Sequence, residues 1–554
     1  MSLTKATNSM IQGAPINVLD YGADPTGAVD STLALRAACA ALQAAGGGVL
    51  DFGSGTFKIY TDTGDTALIG DFSNLTGVEL RSSGANLSVN RSFPTPISLQ
   101  VIQFAACRNI TIGDFEGSYA GSSRAADIYT SGTNFLSFIE GCIGITIGQL
   151  YFDNWNQVVK CTRDSGDSLD WISKNIVIAG IAASNVGYPL FTDLSGHNLT
   201  ANVNAFACGR AYFAYSPVNA TVTVTSKNPV GSKDCLLYAT AGFPMQDVDL
   251  TYINLETTST SVDTREGVAL YFRDTIASVI KNINVHLDIE SNTGFMNTGL
   301  RVGKYDGTAN PDPTDRGHQI ENLTITGYAN IPNGSPLSLC TDGTWGLGEF
   351  VRNVNIHDFV CVGGQSNLNL ASLLSQSLIE NCFFEANMNL VGNTRGRLLC
   401  SNVTTDSITG TSAEATLQDY INCTISNAAT QSVLGKTFLN TTINSVDIGQ
   451  RVIAQQISAP TATSQFIGDT VVATMVDLAS ALADGQHALV TIYAANYANT
   501  VALVSRMNTT YTVTTLTSNV SAGTIPLSIS TSNLQMTNST GGGATFYTRW
   551  VRIL

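Results

Sequence analysis

The sequence predicts an all-β protein: an open stack of strands closed at one end by a single amphipathic helix and followed by an antiparallel β-module. A strand–helix–strand stretch at residues 16–59 stands ahead of a long chain with no comparable helical pattern. Short runs of the type Asn, apolar, polar, apolar then recur, which is how a solenoid repeat reads. Charged residues make up 12% of the chain, against roughly a quarter in ordinary soluble proteins. Gly, Ser, Thr and Asn are abundant, a composition suited to strands and tight turns.

The first element is INVLDYGADPTGAVDSTLALRAACAALQAAGGGVLDFGSGTFKI. Asn17, Val18 and Leu19 read as a strand and Asp24 to Gly27 as a turn, since Pro25 presets φ and Gly27 relieves crowding. Asp30 falls at the N-cap. Leu35, Ala38, Cys39 and Leu42 recur at i, i+3, i+4 and i+7 on one helix face, and Gly46, Gly47 and Gly48 end the helix. A lone amphipathic helix needs an apolar end to cover, so it is expected to cap the first turn of the strand stack.

NVLDYGADPTG, the following Asp30 and Ser31, the helix and GGGVLDFGSGTF together resemble the N-terminal signature of the pectate-lyase-like superfamily. In particular they are similar to bacteriophage tailspike proteins, where a leader like LTKATNSMIQGAP commonly precedes them. The resemblance implies a right-handed parallel β-helix. It is specific for fold and not for reaction, because that superfamily includes lyases, hydrolases and non-catalytic binders. It also implies a trimer carried on a virion, with residues 1–15 as a short attachment leader that meets the phage tail through an adaptor protein.

The repeats give the solenoid its extent. They begin at Asn109, Asn175, Asn198, Asn282, Asn322 and Asn353, then near Asn402, Asn422 and Asn440. Late repeats are spaced by about twenty residues, and earlier ones are longer because loops are inserted. The Asn residues are expected at bends, where tolerance of the left-handed conformation is useful and amides can stack in ladders. Eleven cysteines cannot all pair within one chain. Cys361, Cys382, Cys400 and Cys423 recur at rung spacing and read as small buried fillers, with no zinc spacing among them. Residues 16–60 are therefore read as the cap and first rung and 61–456 as the β-helix. Residues 457–554, with runs such as ALVTIYA, TVALVSR and TYTVTTLT, are read as a C-terminal antiparallel β-sandwich. After Asp484 there is neither Asp nor Glu, so a two-carboxylate mechanism has nothing to use there.

Charge and hydropathy restrict partners. A net charge of −15 disfavours a nucleic-acid surface but leaves room for an anionic glycan at a local basic patch. No apolar segment reads as a signal peptide or membrane span. The chain is expected to be made in a host cytoplasm, without membrane insertion and without a cofactor.

Three constellations could carry chemistry. In VHLDIESN, Val285, Leu287 and Ile289 alternate inward, which puts His286, Asp288 and Glu290 on one outer face. Carboxylates two residues apart on a strand face are about 6.5–7 Å apart, a spacing suited to a general acid and its partner base or nucleophile. GVALYFRD is expected to expose Tyr271 and Arg273, and GLRVGKYD to expose Arg301, with Lys304 and Tyr305 just after. On adjacent rungs these would add cations and an aromatic platform; a plain solvated face is the structural alternative. The second constellation is TRDSGDSLDW, with Asp164, Asp167 and Asp170 beside Arg163 and Trp171 in a loop, where Asx turns are the bland reading. Together with His197, Arg301 and Lys304 it is loosely similar to polygalacturonases, departing from their pattern in detail. The third, DGTANPDPTD at residues 306–315, has oxygens that could hold calcium, but it reads better as a proline-rich surface loop.

The expected function is that of a tailspike that binds and degrades a bacterial surface polysaccharide, capsule or O-antigen, by hydrolysis with paired carboxylates. Asp288, Glu290, Asp164 and Asp167 are its catalytic candidates. Tyr271, Arg273, His286, Arg301, Lys304, Tyr305 and Trp171 are its substrate-binding candidates. The alternatives are β-elimination on a uronate-containing capsule and a non-catalytic adhesin of the same fold.

Overall fold

A computed structural model describes residues 14–553 except 61–66, 90–99, 120–133, 164–170, 241, 257–264, 274–277, 292–295, 305–317, 340–349, 365, 371–376, 391–397, 410–417, 429–435, 444–445, 449–451, 456–463, 468–471, 478–486, 495–497, 508–509, 521–526, 531–532 and 538–543. The chain divides into two compact units, Met1–Phe350 and Val351–Leu554.

In the first unit the strands form two parallel ladders. Long strands pair in series from Gly48–Ile59 through Thr76–Val89, Arg108–Tyr119, Ile143–Asp153, Lys174–Ser184, His197–Phe206, Val218–Lys227, Met245–Glu256 and Val279–Ser291 to Gln319–Asn330. Shorter strands, from Ala67–Ser73 to Ser335–Leu339, pair in the same way. The chain visits the ladders alternately, so each circuit adds one strand to both. That is a parallel β-helix.

Its core is a set of columns. Phe72, Phe104 and Phe138 occupy equivalent places on successive short strands, with ring centroids 5.2 and 5.3 Å apart. Leu80, Ile112, Ile147, Ile178, Ala201, Val222, Leu250, Val285 and Ile325 do the same on the long strands, and all are buried. Because each circuit packs only on its neighbours, the stack stays open at its ends.

The helix Thr32–Ala45 closes one end. Leu35, Ala38, Cys39 and Leu42 are buried. Gln43 offers its amide to both backbone groups of Ser73 on the edge strand Ala67–Ser73, at 3.1 Å each. Thr32 Oγ1 accepts from the Tyr60 N–H at 2.9 Å. The helix thus covers apolar surface and satisfies an otherwise open strand edge. Two details differ from the sequence reading. Ser31 occupies the N-cap position while Asp30 supplies the capping bond, accepting from Thr32 N at 2.9 Å. Val18–Tyr21 is a 3₁₀ turn rather than strand, because the Asn17 side chain accepts from Leu19 N at 2.8 Å and Gly22 closes the turn at φ 89°.

The asparagines sit where the repeats placed them. Asn109, Asn175, Asn198, Asn282, Asn322, Asn353, Asn402, Asn422 and Asn440 all have positive φ, between 46° and 60°. Their amides form ladders: Asn219 donates to Asn198 at 2.9 Å, Asn198 to Asn175 at 2.7 Å, and Asn322 to Asn282 at 2.7 Å.

The second unit contains parallel strands of its own, such as Ser377–Glu380, Leu398–Ser401, Gln418–Ile421 and Lys436–Leu439. Asn402 donates to Asn381 at 3.0 Å in its own ladder. Cys361, Cys382, Cys400 and Cys423 are buried there. Burial pushes the Cys382 thiol up to about 12 and that of Cys423 to about 11. From Val446–Ile448 onward pairing turns antiparallel. His487–Ala494, Ala498–Met507, Thr510–Val520 and Ala544–Ile553 form one sheet, and Val472–Asp477, Asn533–Thr537 and Leu527–Ser530 another. This is the two-sheet C-terminal module expected from the sequence. Among the described residues no helix is long and apolar enough to cross a membrane.

Candidate functional site

The expected constellation is divided between the two ladders. Asp288 and Glu290 lie on Val279–Ser291, which pairs only with long strands. Tyr271 and Arg301 lie on Arg265–Phe272 and Met296–Lys304, which belong to the short-strand ladder. The acids and the aromatic–cationic group therefore do not occupy adjacent rungs of one sheet, as the sequence reading required.

On the long strands the alternation holds. Val285, Leu287 and Ile289 are buried, His286 and Asp288 are exposed, and Glu290 is half-buried. Tyr328 stands beside Asp288 and Asn330 beside Glu290 on the next rung. The Tyr328 hydroxyl donates to Glu290 Oε2 at 3.2 Å and the Asn330 amide to Oε1 at 2.9 Å. Burial, then the Glu290 charge, raises the Tyr328 hydroxyl above its usual range. His286 Nδ1 is 2.9 Å from Thr326 Oγ1.

This face lies in line with a longer feature. An open groove of about 580 Å³ crosses seven long strands, from Asn86 past Glu116, Tyr151, Asp153 and Phe206 to Leu255. Leu255 pairs with Glu290 and Ile253 with Asp288, so the acids continue the same two outward columns. Tyr151, Phe206 and Leu255 are among the most exposed large apolar side chains described, at 51%, 46% and 47%. Sequence reasoning missed Glu116 and Asp153, which lie diagonally on adjacent rungs at a spacing of about 7–8 Å. Only the register between distant repeats brings them together.

The short-strand face is built differently. Phe191, Phe213, Leu236, Ala269 and Arg301 form one row, and Asp193, Tyr215, Tyr238 and Tyr271 the next. The Phe213–Tyr215 ring centroids are 5.0 Å apart, those of Tyr215 and Tyr238 5.2 Å, and those of Tyr238 and Tyr271 6.3 Å. Cations lie over these rings: Arg210 over Phe213 at 5.0 Å, Arg273 over Tyr215 at 4.6 Å, and Lys233 and Arg301 over Tyr271 at 5.6 and 5.8 Å. Contrary to expectation, Tyr271 is buried, because all eight residues of its strand are covered on both faces. Its hydroxyl donates to Glu266 at 2.7 Å. Glu266 also pairs with Arg301 at 2.9 Å and Lys233 at 3.1 Å. Arg273 is exposed, as expected. Burial raises the Asp193 carboxyl above its usual range, with Arg273, Lys160 and Arg163 opposing the shift. Burial likewise depresses the Lys160 ammonium, against the pull of Asp193.

Asp164, Asp167, Tyr305, the loop at residues 306–315 and the side chain of Lys304 lie outside the described residues. Trp171 is exposed. His197 opens His197–Phe206 on the long-strand ladder, apart from Arg301 on the short-strand ladder, so that part of the polygalacturonase-like trio is not assembled. Burial, with Lys174 beside it, lowers His197 to about 4.

No protein-family model and no curated protein sequence matches the chain. Among solved structures it resembles a tailspike protein of E. coli bacteriophage HK620, at 12% identity over 97% of this chain and 93% of that one, with a TM-score of 0.37. PfbA, a surface adhesin of Streptococcus pneumoniae, matches at 11% over 80% and 96%, with a TM-score of 0.39. The catalytic unit of a GH87 α-1,3-glucanase from Streptomyces thermodiastaticus matches at 14% over 72% of this chain and 66% of that one, with a TM-score of 0.36. A tailspike, an adhesin and a glucanase have little in common but architecture, so these likenesses concern the fold alone.

Proposed function

We propose that the protein degrades a bacterial surface polysaccharide, capsule or O-antigen, by hydrolysis, as a homotrimeric phage tailspike. The observation that carries this reading is the pair Asp288 and Glu290 on one outer strand face, in line with an open groove walled by Tyr151, Phe206 and Leu255. Two exposed rings two rungs apart, Tyr151 and Phe206, suit the apolar faces of sugars, and two carboxylates at strand spacing suit glycosidic cleavage. The donors from Tyr328 and Asn330 fix both oxygens of Glu290, which suits the group that activates water or attacks the anomeric carbon. Asp288, exposed on the same face, is the partner carboxyl at the leaving oxygen.

The test is to incubate the protein with a panel of capsular and O-chain polysaccharides and follow products by mass and by absorbance near about 235 nm, since elimination creates a conjugated double bond and hydrolysis adds water. Products heavier by water, absent with Asp288→Asn and Glu290→Gln, are expected. Unsaturated products would replace hydrolysis by elimination, and binding without products would leave an adhesin.

A further inference from the structure

We propose that the short-strand face holds an acidic saccharide chain at a site separate from the carboxylate groove. The inference rests on the reading that the protein handles polysaccharide, and not on its cutting one.

The argument begins with charge. The chain has 42 Asp and Glu against 27 Lys and Arg, yet among the described residues of this face Lys160, Arg163 and Arg273 gather around Asp193, Lys233 and Arg301 around Glu266, and Arg210 lies over Phe213. Four of the cations lie over rings of the aromatic rows. Burial is graded across it: Phe213, Tyr238 and Tyr271 are buried, Lys160, Phe191, Asp193, Tyr215, Lys233 and Arg301 are half-buried, and Arg273 is exposed, so the accessible rings are Phe191 and Tyr215.

A ligand for such a face needs an apolar face to lie on rings and a negative group to meet guanidinium and ammonium. A sugar ring bearing a carboxylate supplies both: its C–H face stacks and its carboxylate pairs with an arginine fork. The accessible part, Phe191 and Asp193 on one strand and Tyr215 with Arg273 over it on the next, crosses one rung interval, about 5 Å. That length suits one charged sugar unit of a longer chain. Because Asp288 and Glu290 lie on the other ladder, holding and cutting occur on different faces, and the site acts as an anchor for the polymer.

The experiment measures binding of polygalacturonate, alginate and hyaluronan, with dextran as the neutral probe, to the full chain at low and high salt. Expected are binding of at least one acidic polymer, no binding of dextran, and weakening with salt. Arg273→Ala should weaken that binding about 10- to 100-fold, as for loss of a charge-assisted hydrogen bond, with Arg273→Lys intermediate. Lys281→Ala, which removes an exposed cation from a long strand, should leave it unchanged. Thermal unfolding confirms that each variant folds. Equal binding of dextran, binding insensitive to Arg273→Ala, or no binding of any acidic polymer would overturn the proposal. If this binding pattern holds and no polysaccharide in the larger panel is cut, cleavage fails and the anchor stands. If cutting is seen and Arg273→Ala changes nothing, the anchor alone fails.

Discussion

The two ladders solve opposite problems with the same backbone. Outward positions of the long strands face solvent, and their acids, small residues and rings form an open groove. Outward positions of the short strands are largely covered, and Arg265–Phe272 is buried on both faces. The first arrangement leaves Asp288, Glu116 and Asp153 exposed. The second pulls Asp193 and Lys160 out of water, so each resists its charged form in spite of the other. In the two proposals, one face serves proton chemistry on an accessible polymer and the other charge-specific holding.

The most damaging change removes both faces at once. Replacing Leu35 and Leu42 together with Asp puts two unpaired charges against the first circuit. Soluble, folded protein should be lost, as read by expression, sedimentation and circular dichroism. A double variant that folds like wild type would mean that the circuits stand without their cap.

The next two changes separate the faces. Asp288→Asn or Glu290→Gln should cost about 10²- to 10⁴-fold in turnover, as for loss of a general acid or base, while polysaccharide binding persists. If both variants keep full activity and Glu116→Gln or Asp153→Asn does not, cutting belongs farther along the same groove. On the short-strand face, Glu266→Gln leaves Arg301 and Lys233 without their carboxylate, with side chains only 22% and 17% exposed. A loss of about 3 kcal/mol in denaturant unfolding is expected, as for a broken buried pair. A change within measurement error would mean that water reaches this cluster freely.

Much of this was legible in the sequence, and the failures have a pattern. The helix face, its glycine stop and the asparagine bends are local: Leu35 to Leu42 needs only helical periodicity, and Asn198 needs only a backbone position that tolerates positive φ. The alternation of Val285 to Glu290 was equally readable because one side of that strand meets water. Tyr271 was misread because alternation predicts exposure only when one face is solvated, and a strand covered on both sides loses that meaning. Glu116 with Asp153, and Glu266 with Arg301, were out of reach for another reason. Each pair depends on which repeats become neighbours, and inserted loops of unequal length hide that register.

The smallest expected effect tests the charge balance of the holding face. Asp193 is half-buried, with Arg273, Lys160 and Arg163 around it, and its carboxyl titrates above the usual range because burial disfavours the ion. As pH falls, Asp193 should take up its proton before ordinary sugar carboxylates lose their charge, and the face then becomes more positive while its ligand stays anionic. Binding of an acidic polysaccharide should therefore tighten as pH falls through the range in which Asp193 takes up its proton and the sugar carboxylates do not. Asp193→Asn should reproduce that gain at neutral pH, by about 3- to 10-fold, a range set by one nearby charge in a partly screened site, and should flatten the pH profile. A variant that binds more weakly at every pH would mean that Asp193 accepts a hydrogen bond from the sugar instead of opposing its charge.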